Sequence, residues 1–123
     1  MSVIVRDDGF HGDDWAGTVT DLAPDAPALR LAEVLGGDAL VRVQFTGFGD
    51  GRGFTLAQQL RALGFAGRLR ALGPLLPDQY AMARRAGFDE VEISTAAAAR
   101  QPQSHWLARA NWRENDYQSR LRG

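Results

Sequence analysis

Leu40-Val41-Arg42-Val43-Gln44-Phe45, then Thr46-Gly47-Phe48-Gly49-Asp50-Gly51-Arg52-Gly53, then a run ending Leu60-Arg61-Ala62-Leu63-Gly64-Phe65: this stretch, residues 40–65, decides the fold class. The first piece alternates, which puts Val41, Val43 and Phe45 on one face of a strand. The second is a loop with four glycines. The third carries Leu56, Leu60 and Leu63 at i, i+4, i+7, which predicts a helix from about Thr55 to Leu63. Gly64 stands where a helix needs a left-handed residue to end. Phe65 stands where the next side chain packs back on the last turn.

The plan then repeats. Arg68 to Leu72 reads as a strand, Gly73 to Pro77 as a loop, and Asp78 to Ala86 as a helix with Pro77 in its first turn. Gly87-Phe88 closes that helix, and Glu90-Val91-Glu92-Ile93 alternates as the next strand. A β–α–β–α–β order with the same cap used twice predicts a parallel sheet with right-handed crossovers. The expected class is therefore α/β: repeated β-α units with a short parallel sheet, a small N-terminal β segment and a helical C-terminal tail. A closed barrel of eight such units needs roughly 200 residues, and the chain has 123.

Outward from this centre the signals weaken. Val3-Ile4-Val5 reads as a strand, Asp7-Asp8-Gly9 as a turn, and Trp15 to Val19 as a second short strand. Asp21 to Pro27 reads as a connector and Ala28 to Leu35 as a helix stopped by Gly36-Gly37. After Ser94, Thr95 to Arg100 is helix-compatible and Pro102 interrupts. A last helix is expected within His105 to Trp112, capped by Ser104. The size is that of a single domain, 1–123, with its core at 28–94. Trp106, Trp112 and Tyr117 carry too much apolar area to stay in water. The tail, 95–123, is expected to dock on its own domain or, as a homodimer contact, on a second copy.

Composition removes whole classes of chemistry. All 14 basic residues are arginine. Lysine Schiff-base catalysis and a lysine-bearing phosphate loop are thus excluded. Cysteine is absent, so thiol nucleophiles, disulfides and thiolate-ligated metals are excluded as well. A formal net charge of -1 gives no general pull toward nucleic acid or anionic membrane. Met1 to Asp8 lacks the pattern of a secretory signal, and no stretch approaches the ~18 apolar residues of a membrane span. The expected location is the cytoplasm.

In parallel α/β sheets, ligands sit beyond the carboxyl ends of the strands. Two loops occupy such ends, Thr46 to Phe54 and Gly73 to Gln79. The candidate ligand- or partner-binding residues are Asp50, Gly51, Arg52, Asp78 and Gln79. Backbone N–H groups, a helix start and the Arg52 guanidinium suit a small anion. The alternative is structural: Asp-Gly-Arg-Gly is also an ordinary turn with Asp50 bonded to its own backbone, and Asp78 a carboxylate at a helix start. The glycines are spaced by two, matching neither a dinucleotide fingerprint nor a phosphate loop. His11 with Asp13 and Asp14 reads as an exposed turn and not as a metal site.

The central stretch resembles bacterial domain-of-unknown-function family 934. The resemblance is carried by residues 45–54, by Gln59-Leu60-Arg61, by 67–73, by Leu76-Pro77-Asp78-Gln79 and by Arg85-Ala86-Gly87-Phe88-Asp89. Members commonly lie beside assimilatory sulfite reductase genes and are often labelled oxidoreductases of sulfite reduction. The resemblance thus implies an accessory protein of sulfur assimilation, with sulfite reductase as its partner. It also places Asp50, Gly51, Arg52, Asp78 and Gln79 on the family's recurring polar positions. Two departures stand out: Pro74 where the family usually has Asp, and Ala86 where it often has Cys. No cofactor is implied, since the chain has no cysteine, no cluster ligands and no flavin motif. The remaining alternative is a small-anion-binding enzyme or sensor at Arg52.

Overall fold

Alternation along the strands sorts the side chains onto two faces, and hydrogen-bond register fixes which residues share a face. The computed structural model describes residues 2–37 and 39–113. Its elements are β1 (Ser2–Arg6), β2 (Gly9–His11), β3 (Val19–Leu22), α1 (Ala28–Val34), β4 (Leu40–Gln44), α2 (Arg52–Ala62), β5 (Leu69–Leu72), a 3-10 turn (Pro77–Gln79), α3 (Tyr80–Ala86), β6 (Glu90–Ser94), α4 (Thr95–Arg100) and α5 (Gln103–Leu107). One six-stranded sheet runs in the order β2-β1-β6-β5-β4-β3. Strands β3 to β6 are parallel, β1 lies antiparallel to β6, and β2 pairs back on β1 as a hairpin. The fold is mixed α/β, as the doubled unit predicts.

Each parallel strand is the spatial neighbour of the next in sequence, so each crossover helix returns over the same face. That face carries Val41, Val43, Phe45, Leu69, Ala71, Val91 and Ile93, which form one buried cluster with Leu31, Leu56, Leu60, Ala83 and Trp106. The two Gly-Phe pairs end their helices alike. Gly64 has φ 103 and Gly87 φ 117. Phe65 N–H donates to Leu60 O at 3.0 Å and Phe88 N–H to Ala83 O at 3.1 Å. Both phenylalanines are buried.

Among the described residues, no helix covers the opposite face. Registers Asp21↔Arg42, Arg42↔Arg70 and Arg70↔Glu90 set charged side chains side by side across four strands. The segment Gly12–Thr18 crosses this face. Its path is forced, because β2 and β3 lie at opposite edges of the sheet. Five inter-strand steps of ~4.8 Å make roughly 24 Å. The eight residue steps from His11 to Val19 reach roughly 26–29 Å when extended. The connection is therefore close to taut.

Three expectations are corrected. The strand read at Trp15 to Val19 is instead β3 at Val19–Leu22, which runs into the start of the expected connector. Trp15 to Thr18 belongs to the crossing segment, where the Trp15 indole donates to Thr18 O at 2.9 Å. Helix α2 begins at Arg52 and not Thr55. Gly53 looks like loop punctuation, but it sits inside the first turn because a Cβ there would overlap the Phe45 ring. Helix α5 spans Gln103–Leu107 with Pro102 before it, so Ser104 is not a cap. Gln103 turns back to accept from Phe10 N–H at 2.8 Å. Trp106 is 1% exposed and lies edge-on to Tyr80. Tyr117 and the rest of the tail beyond Arg113 lie outside the described residues. Among the described residues, no helix is long and apolar enough to cross a membrane.

Candidate functional site

The loop after β4 is organised by one carboxylate. Asp50 accepts from Thr46 Oγ1 at 2.7 Å, from Arg52 Nε at 2.9 Å and Nη2 at 3.1 Å, and from Arg52 backbone N–H at 3.2 Å. The Arg52 guanidinium, followed by the Thr46 hydroxyl, holds the Asp50 carboxyl far below its usual range. Asp50 thereby fixes the turn into α2 and fastens Arg52, whose side chain stays 56% exposed. Gly51 precedes the helix with φ -84 and open space around it.

Gln79 ties the two loops together. Its Nε2 donates to Phe48 O at 2.7 Å, and its Oε1 accepts from Leu76 N–H at 2.8 Å. Asp78 turns the other way, to a surface ion pair with Arg109 at 2.9 Å. The five sequence-derived candidates thus occupy three neighbouring surfaces. Arg52 borders a shallow depression with Pro24, Asp25 and Gln59. Asp78 borders another with His105 and Arg109. Gln79 stands at the junction of the loops.

A deeper concavity lies where the parallel strands end. It is a cleft of about 780 Å³. Gln44, Leu72, Glu92 and Ser94, from β4, β5 and β6, share the helix-free face and form its floor. Phe48, Pro74, Leu75 and Leu76 from the two loops wall one side, and Ala97, Arg100 and Gln101 wall another. Phe48 is 53% exposed. Such a position, beyond the carboxyl ends of the strands, is the usual one for a ligand in a sheet of this kind.

Along the same face, and including Glu92, runs a ladder of ion pairs. Glu92 Oε1 accepts from Arg42 Nη1 at 3.1 Å and Arg70 Nη1 at 3.0 Å. Glu90 accepts from Arg6 Nε at 3.1 Å, from Arg68 Nη2 at 2.7 Å and from Arg70 Nε at 2.5 Å. The crossing segment closes the network: Asp13 grips Arg70 through both oxygens at 3.1 and 3.2 Å, and Asp14 bridges Arg6 and Arg68 at 2.7 and 2.9 Å. The exposed turn expected at His11, Asp13 and Asp14 is therefore a clasp on the sheet. His11 itself pairs with Asp8. Arg70 and Glu90 are 0% and 1% exposed, and among the described residues every buried polar side-chain atom has a partner.

Sequence reasoning located the two loops and missed the floor. Gln44, Glu92 and Arg100 give little local sign of a role. The usable signal was the recurrence of charge at one register on three successive strands, Arg42, Arg70 and Glu90. Among the described residues no three His, Cys, Asp or Glu side chains gather as a metal site. The arrangement offers an apolar wall, a fixed carboxylate and a rim guanidinium, which is equipment for binding.

No curated protein and no solved structure matches the chain. The signature of one family, described as "Bacterial protein of unknown function (DUF934)", matches residues 20–123. That match takes in the parallel strands, save Val19 at the start of β3, and all of the cleft except Ser2, and by it the chain belongs to the DUF934 family.

Proposed function

We propose that this protein is an accessory of assimilatory sulfite reduction in the bacterial cytoplasm, acting by binding, with the cleft over the ends of β4, β5 and β6 as its binding site. The association with sulfite reduction comes from the family resemblance. The binding role is supported by one observation above all. A cleft of about 780 Å³, within the range of roughly 300–1,000 Å³ usual for small-ligand sites, opens where ligands of parallel sheets bind, and Phe48 stands half-exposed at its mouth. A sequence without cysteine or lysine supports the same role, since it has no thiol or amine to act as nucleophile.

The test is genetic and biochemical together. A deletion strain grown on sulfate as sole sulfur source should grow poorly and be rescued by the wild-type chain but not by Phe48→Ser. The tagged chain should retain sulfite reductase on a column. Unimpaired growth of the deletion strain, with no retained reductase, would reject the reading.

A second reading, a small-anion site at Arg52, is favoured by the exposure of that guanidinium, 56%. It is weakened by Asp50, which already neutralises it in bidentate fashion. A crystal soaked in sulfite with density on Arg52 would favour this reading over the cleft.

A further inference from the structure

The polar groups of the cleft are not distributed evenly, and their placement restricts what can fill it. At the floor stands Glu92, 7% exposed. Its Oε1 takes two arginine bonds, while among the described residues Oε2 has only a 3.4 Å bond from Arg42. One oxygen of a nearly buried carboxylate thus keeps acceptor capacity, in a residue that lines the cleft. Gln44 lies beside it on the next strand but one. At the rim stands Arg100, the last residue of α4, exposed and without an ion pair among the described residues. Between floor and rim the wall is apolar: Phe45, Phe48, Pro74, Leu75 and Leu76.

We infer that the cleft takes a small organic anion with a ring. The ring packs on Phe48 and Leu76, the anionic group pairs with Arg100, and a hydrogen-bond donor at the other end of the molecule reaches Glu92. The polarity fixes the orientation. An anionic group at the floor would meet a carboxylate and lose its water, whereas at the rim it meets a guanidinium and keeps part of its hydration. A neutral ring lacking the anion would gain only the apolar wall. The inference rests on the cleft being the binding site, and it adds the chemical class of the occupant.

A pair of dyes separates charge from ring. Anilinonaphthalene sulfonate carries an aromatic body, an N–H donor and one anionic group; N-phenylnaphthylamine is the same body without the sulfonate. Fluorescence titration of the full chain should show the sulfonate binding about tenfold more tightly, the equivalent of one good charged contact. Arg100→Gln should abolish that preference and leave the neutral dye unchanged. Phe48→Ser should weaken both dyes. Arg109→Gln, at the neighbouring depression, should change neither. All three side chains are exposed, so the variants should fold, and circular dichroism checks that they do. Equal affinity for the two dyes, or a preference that survives Arg100→Gln, overturns the proposal. The titration uses no sulfite reductase, so its failure is distinct from a failed partner assay.

Discussion

Gly53 shows how one missing methyl group sets the position of the site. It lies in the first turn of α2 against the Phe45 ring, which itself packs on Phe54 at 4.9 Å with the rings tilted by 58°. Phe45 follows β4 and begins the loop that walls the cleft, so the closeness of helix to strand there fixes where the loop starts. Gly53→Ala must push the ring or the helix aside. Overpacking of this kind costs about 1–3 kcal/mol. Gly51→Ala, two residues earlier, meets nothing within 4 Å and needs no unusual backbone, so it should leave stability within about 0.5 kcal/mol. Urea denaturation of the two variants measures the contrast. Similar losses in both would show that the glycines serve the turn alone.

At the scale of elements, the crossing segment Gly12–Thr18 is held chiefly by charge. Asp14, exposed, has its carboxyl lowered from 3.8 to about 2 by hydrogen bonds from Arg6 and then Arg68. Asp13 is lowered by Arg70, and at the sheet edge Asp21 is lowered by Arg42. A carboxyl whose folded value is depressed stabilises the fold fully above its unfolded value and loses that contribution as pH falls through the folded one. The urea midpoint should therefore be flat from pH 7 to about 5 and fall between about 4 and 2. In an Asp13→Asn, Asp14→Asn variant that fall should be shallower, because two of the titrating groups are gone. An equally steep fall would mean that the clasp has no part in acid stability. This element was hardly legible in advance. Asp13 meets Arg70 across 57 positions and Asp14 meets Arg68 across 54, and no local pattern announces such pairs. By contrast β4, α2, β5, α3 and β6 were legible, because alternation and a Gly-Phe stop are both written within a few neighbouring residues. The loops of the site were legible for the same reason. Its floor was not, since a charged residue on a strand ordinarily faces water, and only the arrival of β6 and the clasp buries Glu92 and Arg70.

The described residues divide into an apolar layer under the helices and a charged layer under the clasp, and Arg70 is the centre of the charged layer, bonded to the Glu92 that lines the cleft. Its guanidinium holds Glu90, Glu92 and Asp13 together while 0% exposed. Burying ions is costly, and a well-packed apolar replacement of a complete pair can be as stable, but removing one partner leaves the other charge without compensation. Arg70→Met should therefore destabilise the fold by about 3 kcal/mol, the lower end of the range for a broken buried pair. Arg6 and Arg68 still hold Glu90, and Arg42 still holds Glu92, which is why the loss should not be larger. Glu90→Gln alone should also destabilise, since Arg70 then keeps only Glu92 and the exposed Asp13. The double variant should cost less than the sum of the singles by more than about 1 kcal/mol, the coupling expected of groups in direct contact. Chemical denaturation of the four proteins completes the cycle. Strict additivity would mean that the two charges are stabilised independently, and that the ladder is a set of separate pairs and not one network.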